Sequence, residues 1–147
     1  MLRDYLVRPR GPYSLELTAA GGTDATRHYR DGALTVTLRV GERLETACAR
    51  QRPDGAVALR AESEEGMARL RALLALDDDH TEFLRRFARD PLLGATTRRL
   101  AGLRVLRVPT VAQALLRALC GQLIESRRAR AIEAAIVRTA TASHPVT

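Results

Sequence analysis

The residues of this chain able to do acid–base, nucleophilic or metal chemistry are few and scattered. His28, His80 and His144 each stand alone, with no second ligand at the spacing a metal ion needs. Asp77, Asp78 and Asp79 are adjacent rather than alternating, and they lack the glycine and terminal Glu of a calcium loop, so the run reads as the start of a helix. Cys48 falls on the inner face of a candidate strand and Cys120 lies in an apolar helical stripe, which makes both of them buried thiols rather than nucleophiles. No glycine-rich phosphate loop occurs. The reading is therefore no catalytic residue, no metal and no cofactor. One constellation stands out: Gly121-Gln122-Leu123-Ile124, on or just after a broadly apolar helix and just before an Arg-rich one.

Charge points the same way. The 147 residues hold 24 basic side chains, every one an Arg, against 17 acids, for a net charge of +7. Residues 1–90 carry 15 Arg and 15 acids, whereas residues 91–147 carry nine Arg and two acids, so the whole excess lies in the second part. A basic block of this kind suits a polyanion, most often nucleic acid. With 46% hydrophobic residues the composition is that of a globular chain rather than a disordered one. There is no apolar run long enough for a transmembrane helix and no apolar stretch behind Met1 for a signal peptide. Two cysteines cannot build a disulfide framework, and the expected compartment is the reducing cytoplasm.

The elements that must position these residues fall into two sets. Up to about residue 61 the apolar residues alternate: Leu15, Leu17 and Ala19; Leu34, Val36, Leu38 and Val40; Val57, Leu59 and Ala61. The segment 43–51 fits more weakly, with Leu44 and Cys48 on one face. A period of two predicts half-buried strands, and the turn signals between them (Gly21-Gly22, Asp31-Gly32, Gly41-Glu42, Pro53-Asp54-Gly55) predict an antiparallel meander. From Ser63 the spacing becomes helical. Met67, Leu70, Leu73 and Leu74 form the stripe expected to cover the sheet. Asp79 with Glu82, and Thr110 with Gln113, have capping-box spacing. Phe83, Leu84 and Phe87 give the next helix an apolar face, and Asp90-Pro91 starts a further piece holding Leu92, Leu93 and Leu100. In the helix after Pro109, two adjacent stripes (Val111, Leu115, Leu119, Leu123 and Ala112, Leu116, Cys120, Ile124) leave Gln113, Arg117 and Gly121 as a narrow polar strip. Such a helix needs burial over much of its circumference. Ser126 is placed to cap a last helix that buries Ala129, Ile132 and Ile136 and shows Arg127, Arg130 and Arg138.

An ordered series of segments resembles the bacterial DNA-3-methyladenine glycosylase II family, within the helix-hairpin-helix DNA glycosylase superfamily. It runs from Met67-Ala68-Arg69-Leu70 and Leu76-Asp77 through Asp90-Pro91-Leu92-Leu93 and Leu100-x-Gly102-Leu103-Arg104. It ends with Ala114-Leu115-Leu116-Arg117-Ala118-Leu119-Cys120-Gly121-Gln122-Leu123-Ile124. The upstream meander is similar to that family's β-rich N-terminal domain. The resemblance implies metal-independent excision of a damaged base that is flipped out of double-stranded DNA, with an apolar side chain filling the gap in the stack. It makes Leu123 that wedge and puts Gln122 beside the vacated site, with Arg127, Arg128 and Arg130 as phosphate contacts. Periodicity alone would give Leu123 a core position with Leu115 and Leu119. The family's helix-hairpin-helix and catalytic Asp lie further downstream, and Glu125 and Glu133 sit in the wrong element, so no catalytic residue carries over. The helix that the family has between its first two strands is expected to be replaced here by a turn over residues 20–26.

The expected fold is α+β: an antiparallel sheet domain with its covering helix over 1–76, then the first helices of an incomplete, apparently truncated all-α glycosylase domain over 77–147. The expected function is base-excision repair of alkylated DNA, as the N-terminal part of an N-glycosylase. The alternatives are a non-catalytic DNA-binding module using the basic region and a protein-interaction fragment. The expected partners are DNA with a damaged base and a missing C-terminal segment or partner chain packing on Val111–Ile124; no membrane is expected.

Overall fold

Strands form where the sequence alternates, and also where it does not. The computed structural model describes residues 3–20, 26–123 and 125–142. Within them lie β1 (Arg3–Val7), β2 (Arg27–Arg30), β3 (Ala33–Val40), β4 (Arg43–Gln51) and β5 (Val57–Ala61), with α1 (Leu15–Ala19), α2 (Glu64–Leu73), α3 (Thr81–Phe87), α4 (Gly94–Arg99), α5 (Val111–Leu123) and α6 (Ser126–Ala142). The strands make one antiparallel sheet in the order β1-β5-β4-β3-β2. A two-residue turn with both Asp31 (φ 50°) and Gly32 (φ 75°) left-handed joins β2 to β3, the geometry that matches strand twist. The edge strands β1 and β2 lie in charged segments with no apolar alternation. They are fixed by their partners, Tyr5 opposite Leu59 and Tyr29 opposite Leu34. Gly21-Gly22 lies outside the described residues.

The sheet buries one face. Leu34, Val36 and Leu38 of β3, Ala47 and Ala49 of β4, and Val57, Leu59 and Ala61 of β5 pack beneath Met67, Leu70, Leu73 and Leu74, so α2 is the expected cover. Ser63 starts it, its Oγ accepting from the Gly66 amide at 2.9 Å. The face expected for β4 is reversed. Residues directly opposite in antiparallel strands share a face, and Ala47 stands opposite Val36 and Ala49 opposite Leu34. Leu44 and Cys48 therefore point to the outer side, and both cysteines are half-buried rather than core thiols. The same register buries Glu45, whose carboxylate accepts from Ser63 Oγ at 2.8 Å beside the positive end of α2.

Leu15–Ala19 is a helix, not the expected strand. Leu15, Thr18 and Ala19 are buried while Leu17 is exposed, a helical rather than an alternating pattern, and Ser14 Oγ caps it by accepting from the Leu17 amide at 3.2 Å. The helix between the first two strands is thus present, just upstream of the residues expected to replace it with a turn; of those, 21–25 lie outside the described residues.

The segment after α4 ties the helices back to the sheet. Gly102 lies so close to α1 that a Cβ would stand 2.6 Å from Ser14 N, and its carbonyl accepts that amide at 2.8 Å. Arg104 is 1% exposed. Its guanidinium donates to the carbonyls of Arg10 (2.7 Å), Pro12 (2.9 Å) and Asp78, while its amide donates to Thr18 Oγ1 at 3.0 Å. Arg107 binds the Asp78 carboxylate through Nη2 at 2.8 and 3.0 Å. Asp77 is held by Arg71, which keeps its carboxyl below the usual range, and Asp79 accepts from the Thr81 hydroxyl and amide, with the same effect. The Asp79–Glu82 capping box is not made: α3 begins after His80, and Glu82 pairs with Arg85. Pro91 does not open α4. Asp90 Oδ1 accepts from the Leu92 and Leu93 amides in a turn that precedes it.

Candidate nucleic-acid interface

The two last helices form an antiparallel hairpin. Thr110 Oγ1 caps α5, accepting from the Gln113 amide at 3.1 Å, as its spacing predicts. The Gln113 side chain does not close the box; its Nε2 donates to Thr26 Oγ1 at 3.3 Å and moors α5 beside the sheet. An apolar cleft of about 260 Å³ runs between this hairpin and the outer sheet face, with Leu44, Leu116, Ile136 and Ala140 in its walls.

Gln113 and Arg117 of the polar strip of α5 face inward while Gly121 is exposed, and of the two apolar stripes Leu116 and Cys120 are half-buried as expected whereas the Val111–Leu115–Leu119 stripe faces out. Arg117 Nη2 donates to Glu133 of α6 at 3.0 Å, and the Glu133 side chain is 9% exposed. Val111, Leu115 and Leu119 are 85%, 58% and 50% exposed. The Arg117–Glu133 pair fixes that side of α5 toward α6, which leaves Val111, Leu115 and Leu119 on the opposite side. On α6, Ala129 is buried and Ile132 half-buried, as expected, whereas Ile136 is 45% exposed at the cleft.

The site residues named from the sequence gather at the turn of this hairpin. Gln122 is exposed on the last turn of α5, and Gly121 has open space around it. Leu123 ends α5; its side chain, Ile124 and the side chain of Ser126, expected from the sequence to cap α6, lie outside the described residues. Arg127, Arg128 and Arg130 are exposed in the first turns of α6; the exposed Glu125 directly precedes the helix, and none of the three arginines makes an ion pair among the described residues. Basic side chains at the positive end of a helix raise the local potential, and with the unpaired amides of the first turn they favour an anion there. Among the described residues no group of three or more potential ligands could hold a metal ion, and no helix is long and apolar enough to cross a membrane. His144 lies outside the described residues.

No protein-family model matches the sequence, and no curated protein matches it. Solved structures do. The chain is similar to the 3-methyladenine DNA glycosylase of Archaeoglobus fulgidus with a TM-score of 0.76 at 16% identity, over 88% of this chain and 48% of that one. It is similar to MBOgg1 in complex with a low-affinity DNA ligand (TM-score 0.65, 15% identity, 86% of this chain and 43% of that one). It is also similar to the 8-oxoguanine glycosylase/lyase of Clostridium acetobutylicum in its apo form (0.62, 19%, 88% and 46%). This is the fold of the N-terminal part of a DNA glycosylase. The chain spans about half the length of the structures it matches. The α+β architecture expected from the sequence, a sheet with its covering helix followed by helices, is the one found.

Sequence reasoning missed the residues that aim the hairpin. Arg117 and Glu133 are 16 positions apart on different helices, and Gln113 and Thr26 are 87 apart, so no local spacing marks either pair. A signal for the first existed: Glu133 stands between Ile132 and Ile136, on a helix otherwise short of acids, where a lone carboxylate calls for a partner.

Proposed function

We propose that this chain is the DNA-engaging N-terminal part of a glycosylase that excises alkylated bases, a hydrolase of base-excision repair. The observation that carries the reading is the hairpin turn, where exposed Gln122 meets three arginines free of ion pairs among the described residues, at the start of α6 on a glycosylase fold. Leu123 fills the gap left by a flipped base, Gln122 hydrogen-bonds the exposed bases, and Arg127, Arg128 and Arg130 hold the flanking phosphates. Residues 1–76 form the supporting β domain and residues 77–147 the opening of the helical domain. Alkylated rather than oxidised bases are proposed because the ordered segments resemble the 3-methyladenine family. Two free cysteines suit a reducing, DNA-containing compartment, the bacterial cytoplasm.

The outward Val111–Leu115–Leu119 stripe is where the rest of such a fold packs, since the matched enzymes continue for about as much again. A second reading, binding without cleavage by this chain alone, is favoured by the fate of Glu133. Among the described residues it is the carboxylate buried within the hairpin, and Arg117 holds it, so it is not free to act on a base. Fluorescence anisotropy with intact, mismatched and abasic duplexes tests both readings. Salt-sensitive binding that prefers the abasic duplex, lost in preference but not in overall affinity on Leu123→Ala, is expected. Absence of salt-sensitive binding removes the DNA reading. Release of 3-methyladenine from alkylated DNA by the purified chain removes the second.

A further inference from the structure

A second basic surface crosses the boundary between the neutral first part of the chain and the basic second part. Residues 81–100 carry five arginines against two acids, Glu82 and Asp90. Folding brings α3 and α4 together as a hairpin. Thr97 Oγ1 reaches the Phe87 carbonyl, and Arg98 Nη1 donates to the Ala88 carbonyl, which sets its guanidinium beside the Ala88–Arg89 turn. Both acids are already engaged: Glu82 holds Arg85 at 2.8 Å, and Asp90 accepts two amides in the turn. Arg86 lies 5.6 Å from the Phe87 ring centre, which orients it without neutralising it. Arg86, Arg89, Arg98 and Arg99 are all exposed and make no ion pair among the described residues.

We propose that the α3–α4 hairpin is a second phosphate-contacting surface, which extends the DNA footprint beyond the α5–α6 turn without reading sequence or damage. The inference rests on the DNA reading of the preceding section. Four exposed guanidinium groups on one short hairpin, against the charge of Asp90 alone, leave it net positive, and a phosphate backbone neutralises that excess while releasing its own counterions. Charge complementarity therefore selects a polyanion. A duplex is favoured over other polyanions because the hairpin belongs to the same helical half as Gln122 and Arg127. The exposed Leu92 at its tip makes an anionic bilayer the competing occupant.

The test is the salt dependence of binding to an undamaged duplex, by anisotropy, for the wild-type chain, the triple variant Arg86→Gln/Arg89→Gln/Arg99→Gln and the matching triple Lys variant. None of these side chains donates a described hydrogen bond, so the fold should hold; if circular dichroism says otherwise, Arg89→Gln and Arg99→Gln are measured singly. The slope of log affinity against log salt should shrink by about two to three in the Gln variant, about one for each phosphate no longer neutralised, and stay near wild type in the Lys variant. The ratio of abasic to intact affinity should stay unchanged. A slope unchanged in the Gln variant overturns the proposal and leaves the DNA reading standing. An unchanged slope together with lost binding to phosphatidylglycerol vesicles overturns it in favour of a membrane. A wild-type chain with no salt-sensitive duplex binding overturns both readings.

Discussion

Arg104 shows most directly what one residue does here. Among the described residues this fully buried guanidinium has no carboxylate partner, which is costly, and it is accommodated because three carbonyls from distant segments (Arg10, Pro12 and Asp78) converge on it. Arg104→Met should destabilise the chain by about 3–5 kcal/mol, since it strands those carbonyls, and Arg104→Lys should recover little, because an ammonium cannot span the same fork. Urea denaturation followed by circular dichroism measures both, and a loss under about 1 kcal/mol for the Met variant would contradict that role. Tyr13 neighbours this knot, and among the described residues its buried hydroxyl has no hydrogen bond of good geometry, only a weak interaction with the Thr18 side chain. Burial pushes its phenol well above the usual value of 10.0. Its folded pKa being raised, the stability tied to the neutral phenol is present in full below pH 10 and is lost as pH climbs beyond it. Tyr13→Phe should therefore be close to neutral at pH 7 and should flatten the alkaline fall in melting temperature. None of this was legible in the sequence, because the partners of Arg104 lie up to 94 positions away. The Asp77–Asp79 run, read as a helix start, was legible only in part: Asp79 accepts at the start of α3, whereas Asp77 and Asp78 are held by Arg71 and Arg107.

At the scale of elements, the sequence declares those whose pattern has one solution and misleads where it has two. Met67, Leu70, Leu73 and Leu74 after Ser63 fit only a helix, and they form one. Leu15, Leu17 and Ala19 fit a strand, yet the same stretch read as Leu15, Thr18 and Ala19 fits a helix, and the Ser14 cap tips the balance. In β4 the small Ala47 and Ala49 carry a weaker apolar signal than Leu44 and Cys48, but they match the space opposite Val36 and Leu34. The extent of α5 was legible and its orientation was not, because the partner that turns it, Glu133, lies on another helix. That pair supplies the prediction at this scale. Glu133→Gln keeps a hydrogen bond to Arg117 but removes the charge, and with Arg117 about one-third exposed the cost should be about 1–2 kcal/mol, felt in the hairpin rather than the sheet. If Arg117 and Glu133 aim the turn, preference for the abasic duplex should fall with Glu133→Gln while binding to intact duplex persists. Anisotropy on the two duplexes reads the difference, and an unchanged ratio would detach the ion pair from the site.

The whole molecule is stabilised unevenly, and that inequality is measurable. Among the described residues, the buried apolar core under the sheet lies between Leu15 and Leu76, and from the later part Leu106 packs against it. The α5–α6 hairpin is moored instead by the Arg117–Glu133 pair, the Gln113 side chain and a partly open cleft, while its Val111–Leu115–Leu119 stripe faces out. Local stability follows buried apolar contact, so the sheet with α1 and α2 should open only with global unfolding and the hairpin at much lower free energy. Native-state hydrogen exchange should then give amides of β3, β4 and α2 the highest protection and those of α5 and α6 protection lower by at least about tenfold, or 1.4 kcal/mol. Equal protection across both regions would mean that the hairpin folds with the sheet as one unit. The same inequality bears on the proposed function. Adding a duplex should raise protection in α5 and α6 more than in the sheet, because a ligand can add stability only to those states that it binds in preference to the open ones.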